Sequence, residues 1–107
     1  MSKEELVTLS SVEMRRRIGT KEISPVELLD ACLERIEEVN PAVNAVTAMC
    51  VDRARKEAKA AEAAVRRGED LPLLHGLPTG IKDLEETKDL LTTYGSPLYR
   101  DYVPGYD

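Results

Sequence analysis

Residues 43–51 read VNAVTAMCV. Asn44 is the one strongly polar member, β-branched side chains are frequent, and no capping residue opens the run as a helix. The run reads as a strand buried on both faces or nearly so. That reading decides the fold class. With helices on either side of it the chain becomes α/β, a mixed sheet covered by helices.

The segment upstream is a helix with clear punctuation. In Ser24-Pro25-Val26-Glu27, Ser24 is the N-cap, Pro25 takes the first helical position where its missing N–H costs nothing, and Glu27 closes a capping box. Ile23 and Leu28 form a hydrophobic staple. Leu28, Leu29, Cys32, Leu33, Ile36 and Val39 make one apolar stripe at helical spacing, and Asn40-Pro41 ends the helix. Ser10-Ser11-Val12-Glu13 is a weaker copy of the same device, with Leu9 and Met14 as staple and Gly19 as the left-handed stop.

Downstream, Asp52 caps a helix whose inner face is Ala54, Ala58, Ala61 and Val65, and Gly68 ends it. Three alanines on that stripe predict a close approach to a neighbouring element. A loop over residues 69–74 contains Pro72. Thr79–Lys82 reads as a short strand, Leu90–Thr93 as another, and Gly95-Ser96-Pro97 as a turn. A strand covered on both faces needs more partners than two short candidates supply. Tyr102–Asp107 stops at a good N-cap with no helix after it, so the sequence reads as cut, and a chain of this kind should expose apolar surface.

The chain has 107 residues, enough for one smallish domain, and a net charge of −5, which argues against nucleic acid as a main partner. Residues 52–67 carry a net +3 and residues 83–107 a net −4, which reads as two solvated faces. No apolar run approaches the roughly 18–20 residues that span a bilayer, and MSKEELVTLSS lacks the apolar core of a secretory signal. Cys32 and Cys50 have no metal-ligand spacing and read as two buried, reduced thiols of a cytoplasmic protein. No phosphate loop, HExxH or CxxC occurs. All four tyrosines fall between residues 94 and 106, and the chain has no Phe or Trp, so the first ninety residues must build their core from aliphatic side chains.

Residues 75–83, HGLPTGIKD, crowd Gly, Pro and Gly into an apolar stretch that ends on Lys82 and Asp83. His75, the one histidine, reads as a loop residue holding a backbone carbonyl. Lys82 has two readings from its residues alone. It is an ordinary lysine at a strand end, or it is a general base, which requires the neutral form that desolvation favours. Gly80, Ile81, Leu84 and Pro78 would give it a dry and stiff approach. Asp83, on the opposite side of a strand, would not share its surroundings.

The block at residues 74–107, LHGLPTGIKDLEETKDLLTTYGSPLYRDYVPGYD, resembles the N-terminal conserved block of the amidase signature family. The likeness lies in HG-x-P, an apolar strand ending in Lys-Asp, a Thr-Thr-x-Gly-Ser turn and Asp-x-Val-Pro. SPVELLDACLERIEEVNPAVNAV, residues 24–46, is similar to the family's second helix and the connection after it. The resemblance implies an amidase that cleaves carboxamide C–N bonds, without metal or organic cofactor, with a nucleophilic Ser, a second Ser in a cis peptide and a Lys. The lysine carries over to Lys82. It implies that residues 1–107 are the N-terminal segment of a single domain, truncated before the serines and inactive alone.

No catalytic role carries over to Thr92, Thr93, Gly95 or Ser96, which read as a turn fixed by hydroxyls and glycine. Asp89 stands where the family often has Gly, so it must avoid a positive φ or accept a strained one. The implied partner is a small amide substrate; a homo-oligomer stays open. The alternatives are the A subunit of a glutamyl-tRNA(Gln) amidotransferase, which works with a partner and tRNA, and a non-catalytic truncated remnant. HGLP and TTYGSPLY lean towards the stand-alone amidase.

Overall fold

Ser24 accepts a hydrogen bond from the Glu27 N–H at 3.0 Å, and the Glu27 carboxylate takes the Ser24 N–H at 3.3 Å. With this complete capping box and Pro25 in the first turn, the longest helix of the protein begins where the sequence signals it. The computed structural model describes residues 1–107 and contains four α-helices, α1 (Lys3–Thr8), α2 (Ser11–Gly19), α3 (Pro25–Val43) and α4 (Val51–Arg66), and a 3₁₀ turn at Pro97–Tyr99.

There is no β-strand, so the expected α/β class is corrected to all-α for this chain. The decisive run divides three ways. Val43 ends α3 and is 61% exposed, Val51 begins α4, and residues 44–50 are an irregular connection with Met49 44% exposed. Strand preference reflects packing in a sheet, and a strand exists only through the backbone bonds of a partner. Thr79–Lys82 and Leu90–Thr93, the two expected partners, are irregular as well. The run does expose apolar surface, at Val43 on the end of α3 and at Met49 in the irregular stretch.

Other ends move by a residue or a turn. α3 runs through Pro41 to Val43, because Asn44 adopts the left-handed conformation (φ 48°) and its N–H closes onto the Asn40 carbonyl at 2.7 Å. Gly19 stays helical, and Lys21 (φ 65°) takes the left-handed place at the end of α2. The Lys21 N–H bonds the Ile18 carbonyl and the Glu22 N–H bonds the Arg17 carbonyl, the Schellman pair. Gly68 (φ 71°) closes α4 as expected, its N–H on Val65 and the Glu69 N–H on Ala64. Asp52 lies inside the first turn of α4 instead of capping it. Ser10 caps α2, but Glu13 leaves the box to bond Arg16 and Arg17, which hold its carboxyl down at about 2. Helix α1 was not expected; Ser2 and Glu5 form a full capping box that marks it.

The chain forms two compact units. The first, Met1–Ala45 with Val51–Pro78, has α3 packed against both α1 and α4. Its core is Leu6, Ile18, Ile23, Leu28, Ala31 and Val65, all aliphatic as composition requires, and the Ile23–Leu28 staple is part of it. Ala58 and Val65 are buried on α4, with Ala54 and Ala61 partly so, as the alanine stripe predicts. Arg15 fastens the following loop by donating to the Pro72 and Leu71 carbonyls. Cys32 and Cys50 are free and half-buried, less enclosed than expected, and burial pushes the Cys32 thiol up. Gly76 has φ 77°, and a Cβ there would lie 2.8 Å from Pro25 Cγ. Gly76→Ala is therefore expected to destabilise this unit by about 2–4 kcal/mol, combining backbone strain with overpacking, as read by a urea midpoint.

The second unit, Val46–Cys50 with Thr79–Asp107, uses the tyrosines. Tyr94 packs edge-on to Tyr99 at 4.9 Å and stacks on Tyr102 at 6.3 Å. Thr92 and Pro104 are its fully buried residues, and the Thr92 N–H bonds the Tyr102 carbonyl at 2.9 Å. The aromatic tail thus forms a partly exposed tyrosine cluster, with Tyr99 44% and Tyr106 58% exposed. Asp89 accepts the positive φ (60°) that its position demands, and its N–H bonds the Pro104 carbonyl. No helix is long and apolar enough to cross a membrane.

Candidate functional site

Lys82 is exposed and sits in an irregular segment, so the strand that was to carry it is absent. The dry approach is absent from this chain too, with Ile81 54% and Leu84 52% exposed. A Cβ at Gly80 would meet open space. The main chain turns directly after the lysine, where the Glu85 N–H bonds the Lys82 carbonyl at 3.0 Å.

Asp83 is the residue that sequence reasoning passed over. Its Oδ1 accepts the Thr93 N–H at 2.7 Å, and its Oδ2 accepts the Thr93 hydroxyl. Those two bonds, with the Gly95 and Tyr94 N–H groups behind them, hold its carboxyl below the usual carboxylate range. The turn it grips has positive φ at both central residues, Tyr94 (54°) and Gly95 (66°), and closes with the Ser96 N–H on the Thr93 carbonyl at 2.9 Å. The Thr93 hydroxyl also accepts the Gly95 N–H at 3.3 Å. Ser96 accepts the Leu98 N–H and caps the 3₁₀ turn. The hydroxyls and the glycine fix this turn as expected. The sequence signal for Asp83 lay in the Thr-Thr-x-Gly-Ser turn itself, which brings several N–H and hydroxyl donors together and so suits a carboxylate acceptor.

Glu86 anchors the aromatic cluster. The Tyr106 and Tyr94 hydroxyls hold its carboxyl low, and in return it pushes Tyr94 up to about 12 and raises Tyr106. The Lys88 N–H bonds Asp107 Oδ1 at 2.9 Å. His75, in the first unit, has Nε2 2.9 Å from the Ala61 carbonyl. A carbonyl only accepts, so Nε2 carries the proton, and the ring ties the loop to α4 as its sequence reading expected. No group of three or more His, Cys, Asp or Glu side chains is gathered to hold a metal ion.

Comparison with known proteins puts this arrangement in context. The family described as Amidase matches residues 27–107. The A subunit of glutamyl-tRNA(Gln) amidotransferase from Anaeromyxobacter dehalogenans (strain 2CP-C) is 43% identical over 103 residues, 96% of this chain and 21% of its own length. The protein of the same description from Bdellovibrio bacteriovorus is 40% identical over the same coverage. This chain therefore spans about a fifth of these curated relatives. Among solved structures, a bacterial aryl acylamidase of the amidase signature enzymes superposes with a TM-score of 0.83 at 31% identity, over 89% of this chain and 20% of its own. A chain from a vestigial protein complex that reveals the evolutionary origins of an s-triazine catabolic enzyme superposes with a TM-score of 0.88 at 32% identity, over 92% and 22%.

Proposed function

Because this chain belongs to the amidase signature family, we propose that it is the N-terminal segment of an enzyme that cleaves carboxamide C–N bonds, with Lys82 as its base. The observation that carries the reading is that Lys82 lies inside the matched region, next to an Asp83 carboxylate fastened to the Thr93–Ser96 turn. In the mechanism the resemblance implies, neutral Lys82 takes a proton from one serine, which in turn activates the nucleophilic serine. The alkoxide attacks the amide carbon, backbone N–H groups hold the oxyanion, the amine leaves with a proton, and water releases the acid from the acyl-enzyme. Both serines lie outside residues 1–107 in this reading, so Lys82 alone does no acyl chemistry.

The test is release of ammonia from a small primary carboxamide. The protein extended through a Gly-rich segment with two serines is expected to turn over, and the 107-residue chain is not. Turnover by the 107-residue chain that disappears in Lys82→Ala would overturn the division of labour; a reading frame without such a segment would overturn the enzyme.

The relatives described as amidotransferase A subunits favour a second reading, in which the ammonia is passed on instead of released. This weighs against the stand-alone lean of HGLP and TTYGSPLY. Copurification with a second protein, and turnover of the amide that rises when tRNA and that partner are added, would establish it. Free turnover at full rate without them supports the stand-alone amidase.

A further inference from the structure

A base on a four-carbon stem is only as well placed as the backbone beneath it. Residues 79–82 lie in no strand ladder and no helix, and Lys82 itself is exposed. The chain just after Lys82 is better fixed. The next residue's carboxylate is bound at both oxygens by one residue ten positions on, through the Thr93 N–H and the Thr93 hydroxyl. Two-point binding fixes the Asp83 carboxylate and so restrains the Asp83 Cα, to which the Lys82 peptide is joined. Thr93 is fixed in its turn by the Ser96 N–H, the Gly95 N–H and the packing of the Tyr94 ring on Tyr99 and Tyr102. A line of constraint runs from the aromatic cluster to the lysine's own backbone.

The clasp has a second effect. A carboxylate adjacent in sequence is the nearest candidate to pair with Lys82, and an ion pair would hold the lysine in its charged, non-basic form. Here the Asp83 oxygens are turned to Thr93.

The geometry points to Asp83 and Thr93 as a positioning pair for the base, a clasp that sets where the Lys82 stem starts and keeps the neighbouring carboxylate occupied. The inference rests on the reading of Lys82 as base. In the serine-bearing protein, Asp83→Ala is expected to lower kcat by about 10–100-fold with KM within about twofold, the size of effect that ångström-scale misplacement of a catalytic group produces. Thr93→Val lowers kcat in the same way, and Thr93→Ser, which keeps both donors, restores most of it. The double variant Asp83→Ala/Thr93→Val is no slower than Asp83→Ala alone, since both remove one clasp.

Lys82→Ala is assayed beside them. If Lys82→Ala is inactive while Asp83→Ala and Thr93→Val keep wild-type kcat, the clasp is overturned and the base stands. If Lys82→Ala is active, the reading of Lys82 falls first. Should Asp83→Ala yield no folded protein, the contrast of Thr93→Val with Thr93→Ser decides: equal kcat for the two overturns the clasp.

Discussion

Lys82→Ala in the serine-bearing protein is expected to lower kcat by about 10²–10⁴-fold, the range that general-base removal spans, while KM changes little. The split follows from the role. A group that accepts a proton during acyl transfer contributes to the transition state and not to holding the amide. Lys82→Arg is expected to be as poor as alanine. Its guanidinium stays protonated at any working pH, so it keeps the charge and most of the volume but offers no lone pair. Measured together, the two variants separate a base from an electrostatic anchor: recovery in the arginine variant would show that only the positive charge is needed, and the proposed proton transfer would be wrong. In the 107-residue chain, where Lys82 is exposed, the folded state should not respond to either change, and equal melting temperatures serve as the check.

Leu28→Ala is expected to have the largest effect on folding, about 3–5 kcal/mol, against a total for a domain of this size of roughly 5–15 kcal/mol. Leu28 is fully buried, lies on α3 between the helices that pack to either side, and completes the staple with Ile23. The fully buried core of the first unit is short of large side chains, so a cavity there has few neighbours able to close over it. Val12, 81% exposed on α2, is the matched control, and Val12→Ala should lie within about 0.5 kcal/mol of wild type. Urea unfolding of the pair gives the contrast. A Leu28→Ala cost below about 1 kcal/mol would mean that α3 is not the centre of this unit.

Local signals in the sequence were legible where a single residue and its near neighbours settle the outcome. The Ser24–Glu27 box, the left-handed Gly68 and the bond from His75 to a backbone carbonyl all depend on short stretches, and each is found. VNAVTAMCV departs from its strand reading because a strand is a relation between segments. Its side chains suit a sheet, but its backbone needs a bonded neighbour, and residues 44–50 remain irregular. The same departure reaches Asp83. With Thr79–Lys82 as a strand, alternation sends Asp83 to the opposite face and out of consideration. In the irregular chain that rule has no hold, and Asp83 becomes the best-bonded residue near the candidate base. Lys21 shows the complementary failure: Gly19 advertises the helix end, but the Schellman bonds fall two residues later.

The second unit is discontinuous, drawn from residues 46–50 and again from residues 79–107. That has a consequence for the order of events during synthesis. The early piece is made before α4, and residues 51–78 must be made before the rest of its unit arrives. The helical unit has all its parts by Pro78 and is free to settle first, while the stretch between α3 and α4 waits with its apolar side chains uncovered. A released chain ending near residue 80 should therefore show protected helices beside a protease-sensitive site within residues 44–50.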